Sequence, residues 1–316
     1  KRIRYTHIMP ITVQQVETYN YKSKEDFQEY IKDNRRPLLI PNVDIGECCK
    51  KWTVDYLAKV LGKNEVRVHV SPVGHMSFLN KNFTYKTLPF EEFIRRAAEE
   101  RNTKWFICEN ECYYLRSIGS DKRGKDVADV NKQFPQISSD IKFPKLFDDG
   151  DFFSSVFRIG SCGVQIWTHY DVMDNMLIQI VGEKRVVLFS PSDTQHMYLN
   201  GDKSEVIDID NPDPKQFPDF LKAIQYECIL KPGDVLYIPA LWHHNTVAKS
   251  FGIGVNVFWK NLPHELYDKT DVYGNKDLVP AAKALTEINK AVISLKSLPP
   301  VYKEFYIQRA ISVLER

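Results

Sequence analysis

His169 and Asp171 stand two residues apart in "WTHYDVMDN", between the apolar stretches "VQIW" and "MLIQIV". In a strand, residues i and i+2 face the same side, so both side chains reach one place. Buried ionisable groups are costly unless they are paired or bind a metal. A second source of imidazole lies downstream in "GDVLYIPALWHHN", where His243 and His244 follow a predicted strand that ends at Pro239. One His-x-Asp pair with one distant histidine is the donor set of a two-histidine, one-carboxylate facial triad. That set covers one face of an iron(II) and leaves positions for a cosubstrate and O2, although zinc and manganese suit the same donors. His-x-Asp triplets are common by chance. The β context and the second histidine-bearing strand end are what raise this one. Neighbouring residues on a strand face opposite ways, so only one of His243 and His244 is expected to ligate.

Three further polar residues interrupt apolar runs. Lys184 precedes Val186, Val187, Leu188 and Phe189, where a lysine can pair with the carboxylate of a small acid. On pattern alone, Glu183, Lys184 and Arg185 read instead as the exposed tip of a hairpin. Asn175 in "NMLIQIV" and Asn256 in "GVNVFW" either line a wet cavity or are ordinary satisfied amides.

The elements that position these residues are short. From about Phe152, "SSVFRIG", "GVQIWTHYD", "NMLIQIVGEKRVVLFSP", "EVIDID", "QYECILKPGDVLYIP" and "FGIGVNVFW" are β-type runs separated by turn residues. That is the pattern of an antiparallel sandwich or barrel. "QIVGEKRVVLF" reads as a hairpin turning near Gly182-Glu183. Upstream, a helix is expected from Ser23 to before Pro37, followed by the strand "LLI". A second helix ends at Gly62, "EVRVHV" reads as a strand, and "LPFEEFIRRAAEE" places Phe90, Phe93, Ile94 and Ala97 on one helical face. "KWFICENECYYL" is β-like around a polar turn, and 117–150 is polar and irregular. After Lys260, "AAKALTEINKAVISL" and "VYKEFYIQRAISVLE" read as a helix–turn–helix tail.

Composition sets the class. The chain has 316 residues, 43% hydrophobic and 27% charged, with 18 Phe and 16 Tyr, which suits a β-rich core. No apolar run is long enough to span a bilayer, and "KRIRYTHIMP" lacks the apolar segment of a secretory signal. Six scattered cysteines point to reduced thiols and an intracellular setting, cytoplasmic or nuclear. Cys108 and Cys112 lack a second pair, which argues against zinc. A formal charge of +2 excludes nothing about partners. The dibasic steps at Arg35-Arg36, Lys50-Lys51, Arg95-Arg96 and Lys122-Arg123 read as solvated faces.

Together, "THYDVMDNMLIQIVGEKRVVLFSP", "IDIDNPD", "GDVLYIPALWHHN" and "VNVFWK" resemble the JmjC-domain 2-oxoglutarate oxygenases. The hydroxylase branch is nearest, and within it the hydroxylases that act on the wybutosine base of phenylalanine tRNA. The resemblance runs from about Pro37 to Asp277. It implies a double-stranded β-helix, the jelly-roll or cupin-like JmjC barrel, mainly β with flanking helices. Residues 1–110 would pack on the barrel, 111–262 would form it, and 263–316 would be a helical tail that forms a homodimer. The resemblance makes His169, Asp171 and His244 the Fe(II) ligands, because the family places its distal histidine five residues after the proline. Position 243 is more usually a bulky aromatic, so His243 is a departure. Lys184, helped by the phenol of Tyr114 in "YYLRS", would hold the distal carboxylate of 2-oxoglutarate. Asn175 and Asn256 would line the cosubstrate pocket. The implied reaction consumes 2-oxoglutarate and O2, releases succinate and hydroxylates a substrate carbon. Three functional readings follow: a hydroxylase of the wybutosine side chain of a tRNA partner, a hydroxylase of Asn, Asp, Lys or His in a polypeptide, or a non-catalytic cupin-like binding or scaffold protein. Retention of all three ligand types with Lys184 argues against the last.

Overall fold

A computed structural model describes residues 11–99, 111–121 and 125–316. Cys108, the first half of "KWFICENECYYL" and the Lys122-Arg123 step lie outside the described residues. Eight strands make the barrel: β1 Phe152–Gly160, β2 Gln165–His169, β3 Asp174–Val181, β4 Lys184–Phe189, β5 Ile224–Leu230, β6 Val235–Ile238, β7 His243–Ala248 and β8 Gly252–Trp259. Antiparallel pairing orders them β1-β8-β3-β6 in one sheet and β2-β7-β4-β5 in the other. This is the jelly-roll order. The first sheet continues past β1 through Cys112–Arg116, Glu65–Ser71 and Thr84–Pro89, and past β6 through Leu38–Ile40. Thr12–Gln15 adds to the second sheet, parallel to β5.

Period-two alternation assigns the faces. Met176, Ile178 and Ile180 of β3 point outward into a core shared with helices Lys24–Asp33, Val54–Leu61 and Phe90–Ala98. Leu177 points into the barrel with Val186, Leu188, Leu230 and Leu236. The helices start where their caps dictate: Ser23 Oγ accepts the Asp26 N–H and Thr53 Oγ1 the Tyr56 N–H, both at 3.1 Å. Phe90, Phe93, Ile94 and Ala97 are all buried, and Phe90 stacks on Phe157 at 6.3 Å. Each large side chain of this kind contributes roughly 1.5–3 kcal/mol.

Three expectations are corrected. "QIVGEKRVVLF" is not a hairpin. The chain turns at Gly182, but β3 and β4 belong to opposite sheets. Both faces of β3 are buried, one by helices and one by the barrel, and an isolated hairpin supplies no such setting. The turn needs glycine, because φ is +72° and a Cβ would lie 2.1 Å from the Phe251 carbonyl oxygen. "EVIDID" is not a strand. Asp208 Oδ1 accepts the N–H groups of Asp210 and Asn211, and that Asx-type turn ends the alternation. Val206 and Ile209 instead cover the outer side of Phe189 with Phe217 and Phe220. The stretch 117–150, polar as it reads, sends Phe134, Ile137, Ile141 and Leu146 into the main core.

The chain divides into two compact units. One holds the described residues up to Asn261 with Val272–Asn275; the other holds Leu262–Asp271 with Lys276–Arg316. The second contains helices Val279–Leu295 and Pro300–Leu314, neither of which has a buried residue. No helix among the described residues is long and apolar enough to cross a membrane.

Candidate metal centre and adjoining cavity

β2 and β7 are neighbours, and His169 pairs in register with His244. β2 ends at His169 and Asp171 lies two residues beyond it, so strand parity does not extend to the carboxylate. Donor atoms of His169, Asp171 and His244 all lie within 4.8 Å of one another. The two imidazole centroids are 4.3 Å apart, and His244 Nε2 is 3.6 Å from Asp171 Oδ2. Each ring has its Nδ1 at a carbonyl: His169 at Trp167 O, 2.9 Å, and His244 at Trp242 O, 3.0 Å. Nδ1 therefore carries the proton, and Nε2 keeps a free lone pair. That is how metal-ligating histidines are oriented.

The electrostatics agree. Burial, with His244 alongside, holds His169 well below the usual imidazole range, and burial lowers His244 as well. Both rings are neutral at pH 7, as ligation requires. Burial raises Asp171, and its Oδ2 is enclosed without a hydrogen-bond partner. A buried carboxylate oxygen without a partner faces a demand that a cation meets. The donor set fits a divalent metal.

His243 faces the opposite side of β7. Its Nε2 lies 3.1 Å from Thr194 Oγ1 and its ring meets Tyr170 edge-on at 5.6 Å. Thr194 Oγ1 already donates to Pro191 O, so it accepts from His243 and leaves Nδ1 buried without a partner. His243→Phe is expected to leave metal affinity unchanged and to cost no stability, checked by metal titration and thermal unfolding.

The structure also corrects the pattern reading of Lys184. It is not an exposed tip. It shares the inward face of β4 with Val186 and Leu188, and Leu188 pairs with His244. Its ammonium enters a pocket also lined by Tyr114, Arg158, Leu177, His169, His244 and Asn256. Burial, with Arg158 nearby, lowers its pKa to about 7. The Tyr114 phenol accepts from Arg158 Nη1. Asn256 Nδ2 donates to Asn175 Oδ1 at 3.0 Å, which leaves Asn175 Nδ2 and Asn256 Oδ1 without partners. Asn256 lines the pocket, and Asn175 bonds to it from the neighbouring strand.

A second cavity, of about 340 Å3, opens from His169 and Asp171 and is walled by Phe78, Tyr85, Trp167 and Tyr273. Holding both loops of the centre is a clamp from the N-terminal segment. Arg35 bonds both oxygens of Asp174, Ala240 N–H reaches Asp174 Oδ1 at 2.9 Å, and Leu241 N–H reaches Asp171 O at 2.8 Å. Arg35→Ala leaves Asp174, 1% exposed, without its countercharge. It should cost about 2–3 kcal/mol, below the value for a fully buried pair because the guanidinium is partly solvated. Denaturant unfolding measures this directly.

A Cupin-like domain model matches residues 23–265. The chain is 56% identical to tRNA wybutosine-synthesizing protein 5 of Homo sapiens over 289 residues, 92% of this chain and 91% of that protein. It is 56% identical to the Danio rerio protein of that name, over 94% of this chain and 91% of that protein. Identity to the Mus musculus protein is 54%, over 92% and 91%. The chain belongs to the tRNA wybutosine-synthesizing protein 5 family. In this family member the expected ligands His169, Asp171 and His244 come together, and Tyr114, Lys184 and Asn256 share one pocket, with Asn175 behind Asn256; sequence reasoning put these residues at the site. It missed Arg158, which borders both cavities, and Arg116, His69 and Trp167, which line the larger one. The available signal was parity: Val156, Arg158 and Gly160 share one face of β1, as Tyr114 and Arg116 share one face of their strand.

Proposed function

We propose that the chain is an iron(II)- and 2-oxoglutarate-dependent hydroxylase of the wybutosine side chain in phenylalanine tRNA. The observation that carries the metal reading is the enclosed His169–Asp171–His244 set, with Asp171 Oδ2 unpartnered and both Nδ1 atoms committed to carbonyls. The tRNA reading is supported by the relatives' printed name. When bound, iron(II) with 2-oxoglutarate and O2 supplies the oxidising chemistry that places a hydroxyl on a substrate carbon.

The chain's own residues do the rest. His169, Asp171 and His244 hold the metal from one side. Lys184 pairs with the distal carboxylate of 2-oxoglutarate, with Arg158 and the Tyr114 phenol beside it. An arriving carboxylate reverses the burial effect on Lys184 and fixes it as an ammonium. Asn256, held by its bond to Asn175, is left to orient the cosubstrate. Leu177, Val164 and Ile166 on the pocket wall keep water from the reacting atoms. The dibasic steps offer RNA little: Arg35, Lys51, Arg95 and Arg96 are each paired with a carboxylate. Arginines at the larger cavity, Arg67, Arg116 and Arg158, offer a better approach for RNA.

The C-terminal helices expose Leu285, Ile288 and Val292 at helical spacing, with Tyr302 and Phe305 62% and 60% exposed. Apolar faces of this kind mark contact surfaces, and a second copy is the proposed occupant. Light scattering should give a dimer mass, and Ile288→Glu with Phe305→Glu a monomer mass. A monomeric parent chain would contradict this. The function itself is tested by incubating the iron-loaded protein with 2-oxoglutarate and wybutosine-bearing tRNA, then weighing the nucleosides. The modified base should gain one oxygen atom; an unchanged base with active 2-oxoglutarate turnover would move the search to polypeptide substrates.

A further inference from the structure

Arg116 and Arg158 lie directly opposite each other on neighbouring strands, in register and on the same face. Like charges so placed repel. The next strand adds Arg67, one residue before the Val68–Leu115 pair, in the same row. Their surroundings do little to relieve this. Arg67 sits over the Tyr85 ring at 4.1 Å, and Arg158 bonds the Tyr114 phenol while its Nε is buried without a partner. Arg116 has no hydrogen bond or ion pair among the described residues. Its guanidinium lies over the Tyr273 ring, 4.8 Å from the centroid. Asp202, the other carboxylate on this cavity besides Asp171, is taken by Lys203 Nζ and by Asn275 Nδ2. Burial, with Arg158 opposite, lowers the Arg116 pKa to about 10, against a smaller opposing pull from Asp171.

The positions of the two arginines separate their roles. Arg158 borders both the Lys184 pocket and the larger cavity, whereas Arg116 lines the larger cavity alone. That cavity reaches His169 and Asp171 and carries aromatic walls suited to a planar base. We propose that Arg116 is a specificity residue that pairs with an anionic group of the substrate, next to the metal centre and apart from the cosubstrate. The assignment rests on the reading of the substrate as a wybutosine-type base. The anion has two sources in such a substrate: a carboxylate on the side chain of the base, or a phosphate of the RNA backbone.

The test is calorimetric and anaerobic, on protein loaded with iron and 2-oxoglutarate. The probes are a wybutosine-type nucleoside with a free side-chain carboxylate, its methyl ester, and phenylalanine tRNA carrying each base. The parent chain should bind the acid on the order of 30-fold more tightly than the ester, as for a desolvated charge pair. Arg116→Gln should abolish that preference, and Arg116→Lys should keep part of it. Because Arg116→Gln removes a like-charge contact, it should melt no lower than the parent. If acid and ester bind alike but Arg116→Gln weakens both tRNAs equally, the paired anion is a phosphate, and the site stands. Unchanged affinity for every probe overturns it. So does an equal loss of 2-oxoglutarate affinity, since the guanidinium would then serve the cosubstrate. If the parent chain binds neither nucleoside nor tRNA, the wybutosine reading fails. Arg116 is then judged on indole-3-acetate against indole-3-acetamide. A preference that Arg116→Gln removes upholds the anion site, and equal binding overturns it.

Discussion

Asp171→Ala is expected to lower iron(II) affinity by at least about 100-fold, beyond the loss typical of removing a ligand's supporting partner, and to abolish succinate formation. Asp171 supplies the only carboxylate of the set, and the remaining His169 and His244 are neutral rings that cannot balance a divalent charge. The metal-free variant should be as stable as the parent or more so. Its carboxylate is buried with one oxygen unpartnered, so removing it removes a desolvation cost. Chelator competition reads the affinity and thermal unfolding the stability. Iron binding at parental strength would remove Asp171 from the metal. A marked drop in melting temperature would show that the carboxylate serves the fold instead.

Lys184→Met carries the second large effect. With Lys184 proposed to hold the distal carboxylate of 2-oxoglutarate, truncating one partner of an enclosed charge pair should weaken cosubstrate binding roughly 100-fold or more. Iron affinity should hold, since Lys184 bears no ligand atom. The same variant has a pH signature. The folded pKa of about 7 lies below the ordinary 10.5, so between these values the unfolded chain holds more protons than the native one. Stability of the cosubstrate-free parent therefore rises with pH through that window, and the cost of the buried ammonium is fully present below about pH 7. Lys184→Met should be more stable than the parent at pH 7, with the gap closing by about pH 10. Denaturant unfolding across that range checks the slope. A gap independent of pH would mean that the lysine is solvated.

What the sequence disclosed follows from which rules are local. His169 and Asp171 were legible as a His-x-Asp pair between apolar runs, although the strand ends at His169 and Asp171 lies beyond it. Parity said that only one of His243 and His244 could ligate, and the family resemblance chose His244. The helix at Phe90–Ala98 was legible because its four buried residues repeat at helical spacing. Lys184 was not legible from pattern, because Glu183, Lys184 and Arg185 beside a glycine turn look like any exposed tip. Its inward face depends on β3 and β4 joining opposite sheets, which is a fact of topology. Arg116 and Arg158 were hidden for the same reason. Each is a single arginine in an apolar strand, and only strand pairing sets them side by side. "EVIDID" misled in the other direction, since its alternation serves a turn whose two apolar residues cover Phe189.

The most direct measurement uses isotopically labelled oxygen. Iron-loaded protein, 2-oxoglutarate and wybutosine-bearing phenylalanine tRNA are mixed without oxygen, then exposed to 18O2, and both products are weighed. One 18O atom is expected in succinate and one in the hydroxylated base, with neither label formed by Asp171→Ala. Unlabelled base alongside labelled succinate would contradict the tRNA substrate, and the absence of labelled succinate would contradict the oxygenase itself.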